Sequence, residues 1–530
     1  MSAPRRESAG GPVSTKSLAE FLFALRSKGV RVWADNERLR YQAPKGGLNS
    51  KDLETLRAWR DSLLTFLGQP SFPEREARLT PRISSDAVPL TFSQQFWCDV
   101  LNVTKRPSMR SIAAAVRLRG PLDIEALRQG VATLVRRHEA LRTRIAFVEG
   151  GARQQIDEIS DCGLEILDLT ALKPDEREIQ ARHFAEQIVQ EPVFLHVGPL
   201  FAARLLKLDC FDHVLVVATE HVISDIASIG IVLREILALY AQSTQGKPHS
   251  LPEIPIQFPD YAVWQRKSHN SWMQKHGSYW QQRLDGAGRV RLSAGEEAPR
   301  ASGMSWANLP VRFEQSLRND LLETSRRERT SLVMSVLTTF AALILRWCNT
   351  TSLVLPFTTA GRFYPELENT IGFFGTPLFL RVDLLENDTF VDVLRRVTQE
   401  YATAYTHDDS CRMAVQMCRP EFTLNPPFNW IPQDFDMNAG ISDHELQTEH
   451  SLIITEYKLE ITSRDDEEWD GEPRIDLLDS KNAVTGAIGY RADRFTLSTI
   501  ERFRQNLLLF AEKLATEPKT PVKAVTLQSA

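Results

Sequence analysis

The sequence predicts a mixed α/β (α+β) chain: two large halves on a similar plan, preceded by a small α-β-β-α unit. Three observations carry this reading. From Val88 onward, short β-branched apolar runs alternate with amphipathic helical patterns. At 530 residues the chain exceeds one hydrophobic core and divides into about three compact units. Between the small unit and the rest lies a stretch with Pro70, Pro73 and Pro81, several serines and no periodic apolar face.

The small unit occupies residues 1–70. Leu18, Phe21, Leu22 and Leu25 share one helical face, and Gly29 supplies a left-handed stop. Apolar alternation in Val30–Ala34 and Glu37–Ala43, on either side of Asp35-Asn36, predicts a hairpin with a two-residue turn. Pro44, Gly46 and Gly47 break the chain. A second helix follows, capped by Asn49 or Ser50, with Leu53, Leu56, Leu63, Leu64 and Leu67 inward. Residues 1–70 hold twelve Lys/Arg against seven Asp/Glu, a local charge of +5 in a chain of net −5. Arg38, Arg40 and Gln42 line the outward side of the second strand. They protect an exposed edge, or they accept an acidic extended peptide by strand addition; pattern alone leaves both readings standing.

Residues 71–87 read as a linker. The first large half spans 88–265. It opens with Pro89-Leu90-Thr91-Phe92-Ser93-Gln94-Gln95-Phe96-Trp97, and Asp123 caps a helix that carries Leu127, Val131, Leu134 and Val135 inward and runs into His138–Thr143. A glutamate-rich helix near 175–190 and the segment Gly198–Leu206 follow. Val214-Leu215-Val216-Val217-Ala218 then has the length and branching of a buried strand. Directly after it stands Glu220-His221-Val222-Ile223-Ser224-Asp225-Ile226, and Ile229, Leu233, Ile236, Leu237 and Tyr240 continue at helical spacing, with Ser224 or Asp225 as cap.

The second half, 266–525, repeats the plan. Ser331–Trp347 is a nearly all-apolar helix, Leu353–Phe357 a strand, Thr359–Arg362 a turn and Ile371–Arg381 a further segment. Phe428–Trp430 and Gly486–Arg491 read as later strands, and a closing helix runs from about Leu497 to Ala515.

Composition excludes several functions. A hydrophobic fraction of 42% and a charged fraction of 25% are those of an ordinary globular protein. No Lys/Arg run marks a nucleic-acid binder. Charge interrupts every apolar run short of a membrane span, and the polar N-terminus has no signal-peptide centre. The six cysteines, at 98, 162, 210, 348, 411 and 418, form no Cys-x-x-Cys pair, which fits reduced thiols and a cytoplasmic setting. There is no metal-ligand spacing, no phosphate loop around Gly361-Arg362 and no Gly-x-Ser-x-Gly elbow.

His221, leaving a strand end one turn before Asp225, has the placement of an imidazole at a cleft wall. There its near-neutral pKa suits proton transfer or orientation of a nucleophile. A satisfied core histidine with Asp225 as a plain helix cap is the structural alternative.

Two resemblances extend this reading. Leu25–Trp33 and Leu39–Gly46 resemble the β-hairpin docking domain of tubulysin type at the N-termini of nonribosomal peptide synthetase subunits, which binds a short acidic motif trailing from an upstream carrier protein. Pro89–Trp97, His138–Thr143, Gly198–Leu206, His221-x-x-x-Asp225, Asp260–Trp264, Ala360–Arg362 and Ile371–Arg381 occur in the order typical of condensation domains of those synthetases, over about residues 88 to 520. That resemblance implies two chloramphenicol-acetyltransferase-like lobes in a V-shaped pseudodimer with a tunnel between them. It gives His221 the catalytic role and Asp225 a structural ion pair, with Arg362 as its partner. In the family motif His-His-x-x-x-Asp-Gly, Glu220 replaces the first histidine and Ile226 the glycine. An ionised Glu220 beside His221 favours imidazolium, and Ile226 adds bulk where a pantetheine arm would pass.

The expectation is therefore acyl transfer from a thioester on the phosphopantetheine of a separate acyl or peptidyl carrier protein. The acceptor is an amine or hydroxyl, free or carrier-bound, in nonribosomal peptide or hybrid polyketide biosynthesis, with chain release among the outcomes. No bound cofactor or metal is needed. With no room for an adenylation or carrier domain before Ala530, the substrate is expected in trans. A catalytically degenerate module that recruits partners to a carrier protein is the alternative, and a coenzyme A-dependent acyltransferase is a further rival.

Overall fold

The computed structural model describes Leu25 and residues 31–35, 38–42, 48–61, 63, 79–83, 88–104, 107–149, 151–158, 163–245, 251–292, 306–362, 364–405, 407, 422, 425–431, 452–457, 472–480 and 482–528. In the N-terminal unit, Arg31–Asp35 pairs antiparallel with Arg38–Gln42. Asp35 stands opposite Arg38, so the first strand runs one residue into the turn expected at Asp35-Asn36. The helix Ser50–Ala58 is held by a capping box: Asn49 Oδ1 accepts from Asp52 N at 2.8 Å, and Asp52 Oδ2 accepts from Asn49 N at 3.1 Å. Leu25, Val32, Leu56 and Leu63 are buried. The expected first helix, apart from Leu25, and its stop at Gly29 lie outside the described residues.

The first large sheet has five strands in the order Ile453–Glu456, Ile112–Arg119, Asp212–Thr219, Phe201–Asp209, Leu164–Asp168. Only the last pair is parallel. Strand alternation divides its side chains between two cores. Ala114, Val116, Leu215 and Val217 pack with Leu127, Val131, Val232 and Ile236 of the helices Ile124–Arg137 and Ile226–Gln245. Ala113, Ala115, Val214 and Val216 face Ala181, Ala185 and Ile188 of the helix Pro174–Gln190. Both faces are covered, which is why Val214–Ala218 reads as an unbroken apolar run.

The second sheet has six strands in the order Trp306–Phe313, Val484–Arg491, Arg474–Asp479, Phe428–Ile431, Ser352–Thr359, Thr376–Asp383. The helices Leu332–Trp347, Phe390–Tyr405 and Leu497–Thr516 share its core.

Two features tie the halves together. The strand Ile453–Glu456, from the second half, completes the first sheet by pairing with Ile112–Arg119. The helix Phe258–Leu284 sends Phe258, Tyr261 and Trp264 into the first core, and Trp280 and Leu284 into the second. The division expected after residue 265 therefore falls inside one continuous helix. The described part of the stretch read as a linker, residues 79–83, is anchored: Leu79 is buried, and Arg82 Nη1 reaches Glu139 at 2.8 Å and Asp260 at 2.7 Å.

One expectation is corrected. Among the described residues one helix, at Ile226–Thr244, is long and apolar enough to cross a membrane. Its two charged residues, Arg234 and Glu235, are too few to break that run. Here its apolar face is spent on the first core, through Ile229, Val232, Leu233 and Ile236.

Candidate functional site

The buried strand Asp212–Thr219 ends at Glu220, whose N–H donates to Leu200 O at 2.8 Å, and a single 3-10 turn, His221–Ile223, follows. His221 is partly buried and remains open to solvent. Its Nδ1 lies 2.8 Å from Ser224 O. A carbonyl oxygen only accepts, so Nδ1 carries the proton, and the lone pair of the neutral ring is on Nε2. Two aromatic rings flank the imidazole: Trp97 with centroids 5.5 Å apart and Phe373 with centroids 4.2 Å apart.

Asp225 caps the helix Ile226–Gln245, accepting at Oδ1 from Ser228 N at 2.8 Å. Arg362 meets it in a two-pronged pair, Nη1 to Oδ2 at 2.9 Å and Nη2 to Oδ1 at 3.0 Å. Phe374 N and Gly375 N also donate to Oδ2, at 3.1 and 3.2 Å. Burial alone would raise the Asp225 pKa, but the Arg362 charge and these hydrogen bonds outweigh it and hold the carboxyl below its ordinary value. Arg362 in turn lies over the Phe374 ring, 4.6 Å from its centroid. Gly361 delivers it there with a left-handed backbone, φ 65°, and a Cβ at that position would stand 1.8 Å from Phe374 O.

Glu220, the departure from the family motif, is fully buried. Its Oε1 accepts from Trp97 Nε1 at 2.9 Å and Ser108 Oγ at 2.6 Å, and its Oε2 accepts from Val222 N. Burial first, and then the Glu220 charge, push the neighbouring Cys98 thiol far up its scale. Gln94, also buried, accepts from Thr91 N at 2.9 Å and donates to Val222 O at 2.9 Å, so the turn is clamped on both sides. Ile226 is 38% exposed beside Asp225.

The fold thus brings together His221, Asp225, Arg362 and Glu220. Arg38 and Arg40 stand apart, exposed on the N-terminal hairpin, and the Gln42 side chain lies outside the described residues. Sequence reasoning gave no role to Phe373, Ser108, Gln94 or Ser228. Trp97 and Gln94 stand in the Pro89–Trp97 segment, and Phe373 in Ile371–Arg381, but their spacing carries no sign of where they end up. The motif residues His138 and Asp260 do structural work: His138 Nε2 lies 2.9 Å from buried Glu235, and Asp260 closes the capping box of the helix Phe258–Leu284. Among the described residues no three of His, Cys, Asp and Glu cluster as metal ligands do.

Residues 84–530 match the family model of the condensation domain, and residues 18–69 match that of the TubC N-terminal docking domain. The chain belongs to the condensation-domain family. Curated relatives are synthetases. Malpibaldin synthetase of Mortierella alpina is 28% identical over 475 residues, 87% of this chain and 8% of that protein. Phosphinothricin tripeptide synthetase PhsC of Streptomyces viridochromogenes is 31% identical over 438 residues, 81% of this chain and 39% of that protein. This condensation-domain chain therefore spans a minor part of the relatives it matches.

Several solved structures share its fold. The X-domain from teicoplanin biosynthesis superposes with a TM-score of 0.71 at 20% identity, covering 85% of this chain and all of that one. The SgcC5 protein from Streptomyces globisporus gives 0.66 at 25% identity, over 82% of this chain and 100% of that one. The EpoB cyclization-docking bidomain from Sorangium cellulosum gives 0.65 at 19% identity, over 95% and 99%.

Proposed function

We propose that this condensation domain transfers an acyl or peptidyl group from the phosphopantetheine thioester of a carrier protein to an amine or hydroxyl, forming an amide or ester. One observation carries the reading. His221 is pinned at Nδ1 by Ser224 O, braced between Trp97 and Phe373, and leaves Nε2 as the acceptor of the neutral ring. A thioester is already activated, so the task is to place the nucleophile and to take its proton as the carbon–sulfur bond gives way. Nε2 accepts that proton, and the departing thiolate is protonated in turn, so no covalent acyl-enzyme is required. The Asp225–Arg362 pair holds the loop that carries Phe373, and it acts through position. The N-terminal hairpin tethers the donor subunit, with Arg38 and Arg40 facing its acidic tail, and raises its local concentration.

The test loads candidate carrier proteins with acyl-pantetheine, adds amines and alcohols, and follows the intact mass of the carrier with wild type and His221→Ala. Loss of the acyl mass with wild type alone supports the reading. Equal transfer by both variants sinks it.

A second reading is favoured by Ile226, 38% exposed beside Asp225 where the family has glycine. In it the protein recruits another enzyme to a carrier; a domain of this fold, the X-domain from teicoplanin biosynthesis, forms a complex with a second protein, OxyB. Carrier binding without transfer, indifferent to His221→Ala, identifies that case.

A further inference from the structure

We propose that Glu220 is a positioning residue that replaces, rather than degrades, the first histidine of the family motif. This inference rests on the acyl-transfer reading and deepens it. Three hydrogen-bond donors converge on the Glu220 side chain: the Trp97 indole N–H, the Ser108 hydroxyl and the Val222 backbone N–H. Glu220, Ser108 and Val222 are 0%, 3% and 0% exposed, so water does not satisfy the Ser108 hydroxyl or the Val222 N–H in its place. An ionised carboxylate offers about four acceptor sites, whereas a neutral imidazole offers one and an imidazolium none. A histidine at position 220 would leave two of the three donors unmet.

Glu220, Trp97 and Ser108 are therefore a matched set, drawn from positions 123 and 112 residues apart. Their effect converges on His221 by two routes. Through Val222 N the carboxylate caps the turn that presents the imidazole. Through Trp97 Nε1 it fixes the indole against which the imidazole lies, 5.5 Å between ring centroids. Gln94 holds the opposite side of the same turn at Val222 O, so removing Glu220 leaves the turn anchored but free to tilt the ring.

The consequence runs against the motif. Glu220→His restores the family residue, yet it is expected to lower kcat about 10- to 100-fold with the KM for the loaded carrier little changed, because a misplacement of about 1 Å at the reacting centre costs that much. Trp97→Phe keeps the ring and deletes the donor, and a smaller fall in kcat of the same kind is expected. The structural readout is the set of His221 ring-proton chemical shifts, which report the flanking, tilted Trp97 and Phe373 rings and should move in both variants. Wild-type kcat and unmoved His221 shifts in Glu220→His, with His221→Ala inactive, would overturn the proposal and leave the acyl-transfer reading intact. Full activity of His221→Ala would instead remove that reading. If Glu220→His does not fold, Trp97→Phe decides alone: unchanged kcat and shifts reject the assignment, and a reduced kcat with moved shifts supports it.

Discussion

Arg362 reaches Asp225 across 137 residues of sequence through two hydrogen bonds of 2.9 and 3.0 Å, binding the Gly361–Gly375 loop of the second half to the helix start behind His221. Their side chains are 7% and 9% exposed, so the contact is made away from water. Removing one partner strands a buried charge, at a cost of about 3–5 kcal/mol. Arg362→Ala should therefore lower the midpoint of chemical denaturation by that equivalent and also reduce turnover, since Phe373 loses its anchor. A midpoint equal to wild type would show that the loop is held by other means.

The same pair sets an acid limit. The Asp225 pKa is depressed in the folded state, so its contribution to stability is complete above the ordinary carboxylate value of 3.8 and is lost as pH falls below it through the folded pKa. Asp225→Asn removes the titrating group. Thermal unfolding followed from pH 7 down to the acid transition should show the gap between wild type and Asp225→Asn narrowing only below that value. A constant gap across the range would contradict the linkage.

Gly361 offers a backbone test of the same loop. Its φ of 65° and the 1.8 Å approach to Phe374 O leave no room for a Cβ. Gly361→Ala should cost about 1–3 kcal/mol from the left-handed backbone alone, plus whatever shift relieves the clash. Denaturant titration measures the loss, and a variant as stable as wild type would mean the loop relaxes freely.

Much of this was legible in the sequence, for local physical reasons. The strand Asp212–Thr219 and the helix Leu332–Trp347 are buried on all sides, so each reads as a continuous apolar run. Asp123 and Asn49 cap as their side-chain chemistry dictates. What stayed hidden is what depends on partners far along the chain. Ile453–Glu456 is four residues long and carries no alternation, so nothing local marks it as a strand or shows that it pairs with Ile112–Arg119 of the other half. The helix Phe258–Leu284 changes core part-way along, and no periodicity marks where. Glu220 read alone is a charge beside a histidine. Donors such as Trp97 and Ser108, each more than 100 residues away, give it a place in the fold.

The N-terminal hairpin makes a prediction separable from catalysis. Arg38 and Arg40 are exposed on the strand that pairs with Arg31–Asp35, far in sequence from every residue around His221. If they meet the acidic tail of a donor subunit, the double reversal Arg38→Glu/Arg40→Glu should raise the KM for that subunit roughly tenfold and leave kcat unchanged. The penalty should shrink as salt is added, because charges exposed to solvent are screened over about 8 Å at physiological ionic strength. A short acyl-pantetheine thioester, which has no tail, should be used equally well by wild type and variant. Deleting residues 1–70 should reproduce the KM effect, since it removes the same tether. A coenzyme A-fed enzyme would be indifferent to both changes, and an unaltered KM for the loaded subunit would therefore exclude the hairpin as its docking surface.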